Sequence, residues 1–224
     1  KLSERIAIMS HNHFTLLTLG CFVNMAQIHI SGSPGSGKTS ICLMKSNEIL
    51  SAGGRVFWVS NKLDPVRFSQ IMENIPIQYA SKFHSMEFSD NSEVFITKEV
   101  NGFEQAINQL IIMSTQLPTT KLIVIDGWDI GIGTSKNERF DKIESLKEIC
   151  DKNDVQLYLT SQSYEDASDN LEKYRIRSKT KFEGMGFENW LIYPHDEINS
   201  LRKLIKGNKE FVFKMINEGI EYVE

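Results

Sequence analysis

The sequence predicts an α/β fold: a mostly parallel central sheet with helices on both faces, closing on antiparallel C-terminal strands. Three observations carry this. Short apolar, β-branched runs alternate with helical periodicities through most of the chain. A glycine-rich turn joins the first such run to the first helix. Beyond about residue 187 the helical pattern gives way to consecutive short strands.

Taken in order, 26–30 reads as a strand entering the glycine-rich turn, and 39–50 as a helix packing through Ile41, Cys42, Met44 and Ile49. Gly53-Gly54 stops that helix, and 55–59 is an aromatic, β-branched strand. Phe103, Ala106, Ile107, Leu110 and Ile111 recur at i, i+3, i+4, i+7, i+8, which predicts an amphipathic helix over 102–116, ended by Pro118. The unbroken apolar run 122–125 suits a strand buried on both faces of a parallel sheet. A helix over 138–150 and a strand over 155–159 follow. Short strands are expected at 189–193, 199–205, 210–216 and 219–223, with Gly207-Asn208 as a hairpin turn.

With 224 residues, the chain suits one domain, 1–224, with 1–15 as a lead-in and 163–185 as a flexible loop. Hydrophobic residues at 41% and charged residues at 24% exclude collagen-like, coiled-coil and wholly disordered classes. No apolar run is long enough to span a membrane, and the charged start lacks a clear signal-peptide cleavage site, so a cytoplasmic protein is expected. A net charge of −4 argues against general coating of nucleic acid but leaves room for a local basic groove. Cys21, Cys42 and Cys150 are odd in number and far apart, which fits reduced, buried thiols better than disulfides or a zinc site.

The chemistry is concentrated in Gly32-Ser33-Pro34-Gly35-Ser36-Gly37-Lys38-Thr39, followed by Ser40. This is a G-x-x-x-x-G-K-[ST] phosphate loop between a strand and a helix. Glycines let backbone N–H groups turn toward phosphate oxygens, and the helix start adds further N–H groups and a positive dipole end. Lys38 supplies a point charge for the β/γ-phosphates, and the Thr39 hydroxyl a ligand for Mg²⁺. Asp126, directly after the run 122–125, is the expected acidic partner that holds the same Mg²⁺ through water.

The order of phosphate loop, aromatic strand, long helix, apolar strand ending in Asp126, and then Leu159-Thr160-Ser161-Gln162 resembles the RecA-like P-loop ATPase superfamily. Its archaeal RadB and KaiC-type branches are the nearest in pattern. Leu19-Gly20 resembles their entry segment, with the usual glycine pair reduced to one, and 201–220 resembles their last strands. The resemblance covers roughly 16–224 and implies ATP and Mg²⁺ as ligands and no DNA-binding domain ahead of the core. It also implies that Gln162 senses the γ-phosphate, and that Lys206 reaches a neighbouring subunit's nucleotide. The resemblance further places a catalytic Glu where this chain has Asn61-Lys62. A lysine is a cation and a poor general base, so hydrolysis is expected to be weak or absent. Asp64 is the nearest acid that can substitute.

The same resemblance makes the segment after Gln162 a contact for single-stranded DNA. Lys173, Tyr174, Arg175, Arg177, Lys179 and Lys181 put five cations and a stacking ring in nine residues. The acids Glu165, Asp166, Asp169 and Glu172 oppose this, and a solvated loop paired with those acids is the plainer reading. His11-Asn12-His13 lacks other ligands and reads as a surface turn, and Trp128 reads as a core residue near the site. The function expected is therefore a RadB-like accessory factor in recombination or repair that binds ATP and works through a DNA strand, a protein partner or its own oligomer. The alternative is a KaiC-type signalling or scaffold ATPase that engages proteins only. A small-molecule phosphotransferase shares the loop, but its arginine-rich lid has no counterpart beyond Arg175 and Arg177.

Overall fold

The structure, a computed structural model, describes residues 26–87, 102–117, 119–130, 135–165 and 173–223. His11-Asn12-His13, Leu19-Gly20, Cys21, Pro118 and the acids 166–172 lie outside the described residues. The main sheet has the order β11-β10-β9-β8-β1-β5-β4-β2-β3. Its parallel part comprises β1 (Gln27–Gly32), β2 (Arg55–Ser60), β3 (Phe83–Glu87), β4 (Thr120–Asp126), β5 (Gln156–Ser161) and β8 (Phe187–Pro194). Antiparallel β9 (Leu201–Lys206), β10 (Lys209–Ile216) and β11 (Gly219–Val223) extend it from β8.

Alternation along each buried strand sorts side chains onto the two faces. Val56, Trp58, Leu122 and Val124 share one apolar cluster with Ile41, Cys42 and Leu43 of α1 (Lys38–Ser51) and Ile71 of α2 (Pro65–Met72). Phe57, Val59, Ile123 and Ile125 share the other with Phe103, Ile107 and Leu110 of α4 (Gly102–Gln116) and Ile143 and Leu146 of α5 (Lys136–Lys152). This is why 122–125 carries no polar residue: both sides of β4 are covered. Cys42 and Cys150 are buried free thiols, and burial raises the pKa of Cys150 to about 12.

Among the described residues, three elements between β2 and α4 were not anticipated. These are α2, the short α3 (Ile77–Ala80) and edge strand β3. The start of α2 carries a recognisable signal, Asp64-Pro65: the Asp64 carboxylate accepts from Val66 N–H at 2.9 Å and Arg67 N–H at 3.4 Å, and proline occupies the first turn. Asp64 is thus engaged as a helix cap. The expected loop over 163–185 also needs correction. It holds a small hairpin, β6 (Tyr164–Glu165) with β7 (Tyr174–Arg175), and α6 (Lys179–Gly184). Phe182 explains α6, because its ring is fully buried against the α5 side of the core. A single apolar residue among charges gives no periodicity from which to read a helix. Among the described residues no helix is long and apolar enough to cross a membrane.

Candidate functional site

The phosphate loop leaves the C-terminal end of β1, and β5 separates that strand from β4. Ligands of open parallel sheets gather in this crevice beyond the strand ends. Gly32 is required by close packing: a Cβ there would stand 2.6 Å from Ser36 Oγ and 2.8 Å from the Ile192 carbonyl. Gly37 is required by its backbone, with φ at 104° at the N-cap of α1. It offers no side-chain cap, so the first-turn N–H groups of α1 stay available to an anion. Lys38 Nζ lies across the loop, donating to the carbonyls of Gly32 at 2.7 Å and Ser33 at 2.8 Å. Burial lowers its pKa, while Asp126 and Asp129 favour its charged form.

Thr39 and Asp126, predicted as a pair, are adjacent: Thr39 Oγ1 donates to Asp126 Oδ2 at 2.8 Å. The other carboxylate oxygen accepts from Thr160 Oγ1 at 2.6 Å, and Thr160 in turn accepts from Gly127 N–H at 2.8 Å. Thr160 was not singled out from the sequence, although it stands in the quoted run before Gln162. A hydroxyl and a carboxylate side by side are hard oxygen donors of the kind Mg²⁺ takes when phosphates and waters complete its shell. Among the described residues no cluster of three or more His, Cys, Asp or Glu side chains is placed to hold a metal.

Pro34, Gly35, Lys38, Thr39, Asn61, Lys62, Asp126, Asp129, Thr160 and Gln162 all border one cleft of about 310 Å³. Lys62 therefore faces the same space as the phosphate loop. Asp129, like Thr160, borders the cleft without having been singled out from the sequence. Its Oδ2 accepts from the Gln162 backbone N–H at 3.1 Å and pairs with Arg177 Nε at 2.9 Å. Its Oδ1 is buried with no hydrogen-bond partner among the described residues. Burial raises the Asp129 pKa, and the Gln162 N–H and the Arg177 guanidinium offset part of that rise. The Gln162 carbonyl accepts from Ser31 Oγ and Arg177 Nε, both at 3.1 Å.

Beneath the loop runs a buried polar network. His29 is fully buried on β1, stacked on Phe182 at 4.0 Å between ring centroids. Trp128 Nε1–H donates to its Nε2 at 3.3 Å, so Nε2 is the acceptor and Nδ1 carries the proton toward Asn189 Oδ1 at 2.7 Å. Ser161 Oγ lies 2.9 Å from His29 Nε2 and 3.2 Å from Ser31 Oγ, which leads to Gln162. Burial lowers the His29 pKa to about 4. Between that value and the ordinary 6.5 the unfolded chain binds a proton that the folded chain does not. The stability present above pH 6.5 is thus expected to fall as pH drops toward 4, by about 3 kcal/mol. Urea titrations of the wild type and His29→Gln across that window check it: the variant should lose much of the slope.

The six residues expected on DNA are divided by the structure. Lys173, Tyr174, Arg175 and Lys179 line a groove of about 690 Å³ against Leu191, Tyr193 and Ile205 of β8 and β9. Tyr174 stacks on Tyr193 with centroids 5.3 Å apart. Arg177 does not join them; it turns to Asp129 and lies over the Tyr164 ring at 4.2 Å. Lys181 lies over the Phe140 ring at 5.7 Å. Lys206, expected to project toward a neighbour, rests over the Trp190 ring at 3.9 Å, and burial lowers its pKa. Trp128 is a core residue beside the site, packed on Phe140 and Phe182.

No family model matches the chain, and no curated protein matches it. Among solved structures, the crystal structure of the RadB recombinase superposes with a TM-score of 0.65 at 17% identity, over 89% of this chain and 91% of that one. The chain has the RecA-like fold, with its parallel sheet and antiparallel C-terminal strands.

Proposed function

We propose that this RecA-like chain binds ATP with Mg²⁺ and acts as a RadB-like accessory factor in recombination or repair, with weak or absent hydrolysis. The observation that carries the reading is the Thr39–Asp126 contact at 2.8 Å beside a complete phosphate loop. Lys38 and the first turn of α1 would hold the phosphates, and Thr39 and Asp126 the cation. Bound Mg²⁺ would neutralise charge on the β- and γ-phosphates. Lys62 borders the cleft where the family expects its acid, and Asp64 is committed to capping α2. Turnover at saturating ATP is expected below about 1 per second. Lys62→Glu is expected to raise it at least about tenfold, because a positioned base contributes that much or more. Fast phosphate release by the wild type, or an unresponsive variant, would remove the argument from Lys62.

The groove lined by Lys173, Tyr174, Arg175 and Lys179 supports a single-stranded DNA partner through phosphate pairing and ring stacking. Reversing charge at Lys173 and Lys179 should abolish a salt-dependent affinity for single strands. The protein-only, KaiC-type reading is favoured by one observation: Arg177 and Lys181 are used within the chain, so the segment's free charge is smaller than its sequence suggests. Absence of salt-dependent binding to single strands would select it.

A further inference from the structure

Strand β1 departs from the apolar pattern of a strand covered on both faces. Ile28 and Ile30 join one apolar cluster, whereas the alternate residues Gln27, His29 and Ser31 are polar and buried. Buried polar groups take partners, and Ser31 takes three. Its hydroxyl donates to the Gln162 carbonyl at 3.1 Å and accepts from the Arg177 backbone N–H and from Ser161 Oγ, both at 3.2 Å. A serine hydroxyl has one proton to donate and two lone pairs to fill, so its orientation is fixed. The place of those contacts matters. Tyr164 stands opposite Arg175 in the β6–β7 hairpin, and Gln162 and Arg177 lie two residues nearer its base on either side. The Ser31 hydroxyl bridges them there. Each strand of that hairpin is two residues long, and a two-stranded hairpin alone is marginal in water. The next strand of the sheet meets the same place: Ser31 is in register with Leu191 of β8, which lines the groove with Lys173, Tyr174 and Arg175.

We propose that Ser31 is a positioning residue for the groove: its hydroxyl clasps the base of the β6–β7 hairpin and so holds Lys173, Tyr174 and Arg175 in place before a single strand arrives. A wall that is loose in the free protein must be ordered on binding, and that ordering subtracts from affinity. The clasp meets the cost within the fold. It is built from a core strand, so it needs no ligand and works through residues that a bound strand does not touch. The number of cations offered to the strand is the same with or without the hydroxyl. Arg177 keeps its side-chain bonds to Asp129 and the Gln162 carbonyl when the hydroxyl is removed, so the loss is partial. This inference rests on the single-stranded DNA reading above and adds to it the buried residue on which the groove's shape depends.

The test compares wild type with Ser31→Ala in the full chain, without nucleotide. Limited trypsin cleavage after Lys173 and Arg175 is measured relative to cleavage after Lys152, which is exposed at the end of α5. A general loss of stability raises both rates together, whereas loss of the clasp raises the first alone. That ratio is expected to rise about threefold or more in the variant, as for a local opening. Affinity for a single-stranded oligothymidylate is then measured across a salt series. The variant is expected to bind about fivefold more weakly at each salt concentration, with an unchanged salt slope, because the same cations meet the same phosphates. Ser31→Cys, of like size and weak in hydrogen bonding, replaces the first variant should that fail to fold, with the same expected losses. An unchanged cleavage ratio overturns the clasp. An unchanged affinity, or a reduced salt slope, overturns the positioning role. A wild type without salt-dependent affinity overturns the DNA reading and the role that rests on it, while the cleavage ratio still decides the clasp.

Discussion

Lys38→Ala is expected to lower affinity for ATP·Mg²⁺ by roughly ten- to hundredfold, the worth of a charge-assisted hydrogen bond to phosphate. The reason lies in where the ammonium sits. It is half-buried against the Gly32 and Ser33 carbonyls and within the field of Asp126 and Asp129. Without it, incoming phosphates meet two carboxylates with no fixed cation between. The fold should survive, because the apolar faces of α1 and β1 do not involve this side chain. Thermal melting separates the two effects. At ligand a hundred times above Kd, a bound nucleotide stabilises by about 2.7 kcal/mol. Wild type should show that rise, while the variant at the same nucleotide concentration should keep only about 0.4–1.4 kcal/mol of it. Calorimetric affinity within twofold of wild type would defeat the assignment of the loop.

Phe182→Ala is expected to cost about 3–5 kcal/mol of stability, the range for removing a buried aromatic ring. The ring is fully buried and packs on His29 at 4.0 Å, Trp128 at 5.2 Å, Phe140 at 5.4 Å and Phe187 at 5.2 Å. Its removal leaves a cavity bounded by β1, α5 and β8, and it also releases α6, which holds the end of the basic segment. For a chain of this length the melting temperature should fall by about 10 °C. Urea unfolding provides the free energy, and a loss below about 1 kcal/mol would show that the site collapses around the missing ring. Because Phe182 carries α6, the same variant should lose affinity at the groove before it loses nucleotide binding.

Much of the fold was legible because the information is local or periodic. The helix over 102–116 is bounded as its i, i+3, i+4 pattern predicts. The run 122–125 lies inside β4, buried throughout, and Gly207-Asn208 turns β9 into β10 with Lys206 opposite Lys209. What escaped had weak local signals. Edge strand β3 reads Phe-His-Ser-Met-Glu and is half-exposed, since one neighbour and partial cover suffice to hold it. The helix α6 depends on one buried ring. The hairpin of β6 and β7 is two residues per strand, too short for alternation to register.

At the site the division follows the same physics. The phosphate-loop motif was legible in the sequence because it is a run of consecutive residues, with glycine at fixed offsets and a lysine and hydroxyl at its end. The pairing of Thr39 with Asp126 was legible because a strand ending in acid after an apolar run has only one place in a parallel sheet. By itself the sequence thus determined the α/β class and the phosphate-loop motif. Only the tertiary structure decided which charges act on which. It assigned Asp64 to a helix cap, drew Arg177 away from its neighbours to Asp129, laid Lys206 over Trp190, and brought Tyr193 to Tyr174. Those pairings join residues far apart in the chain, and a charge pattern read along the sequence carries no record of which side chains folding brings within bonding distance.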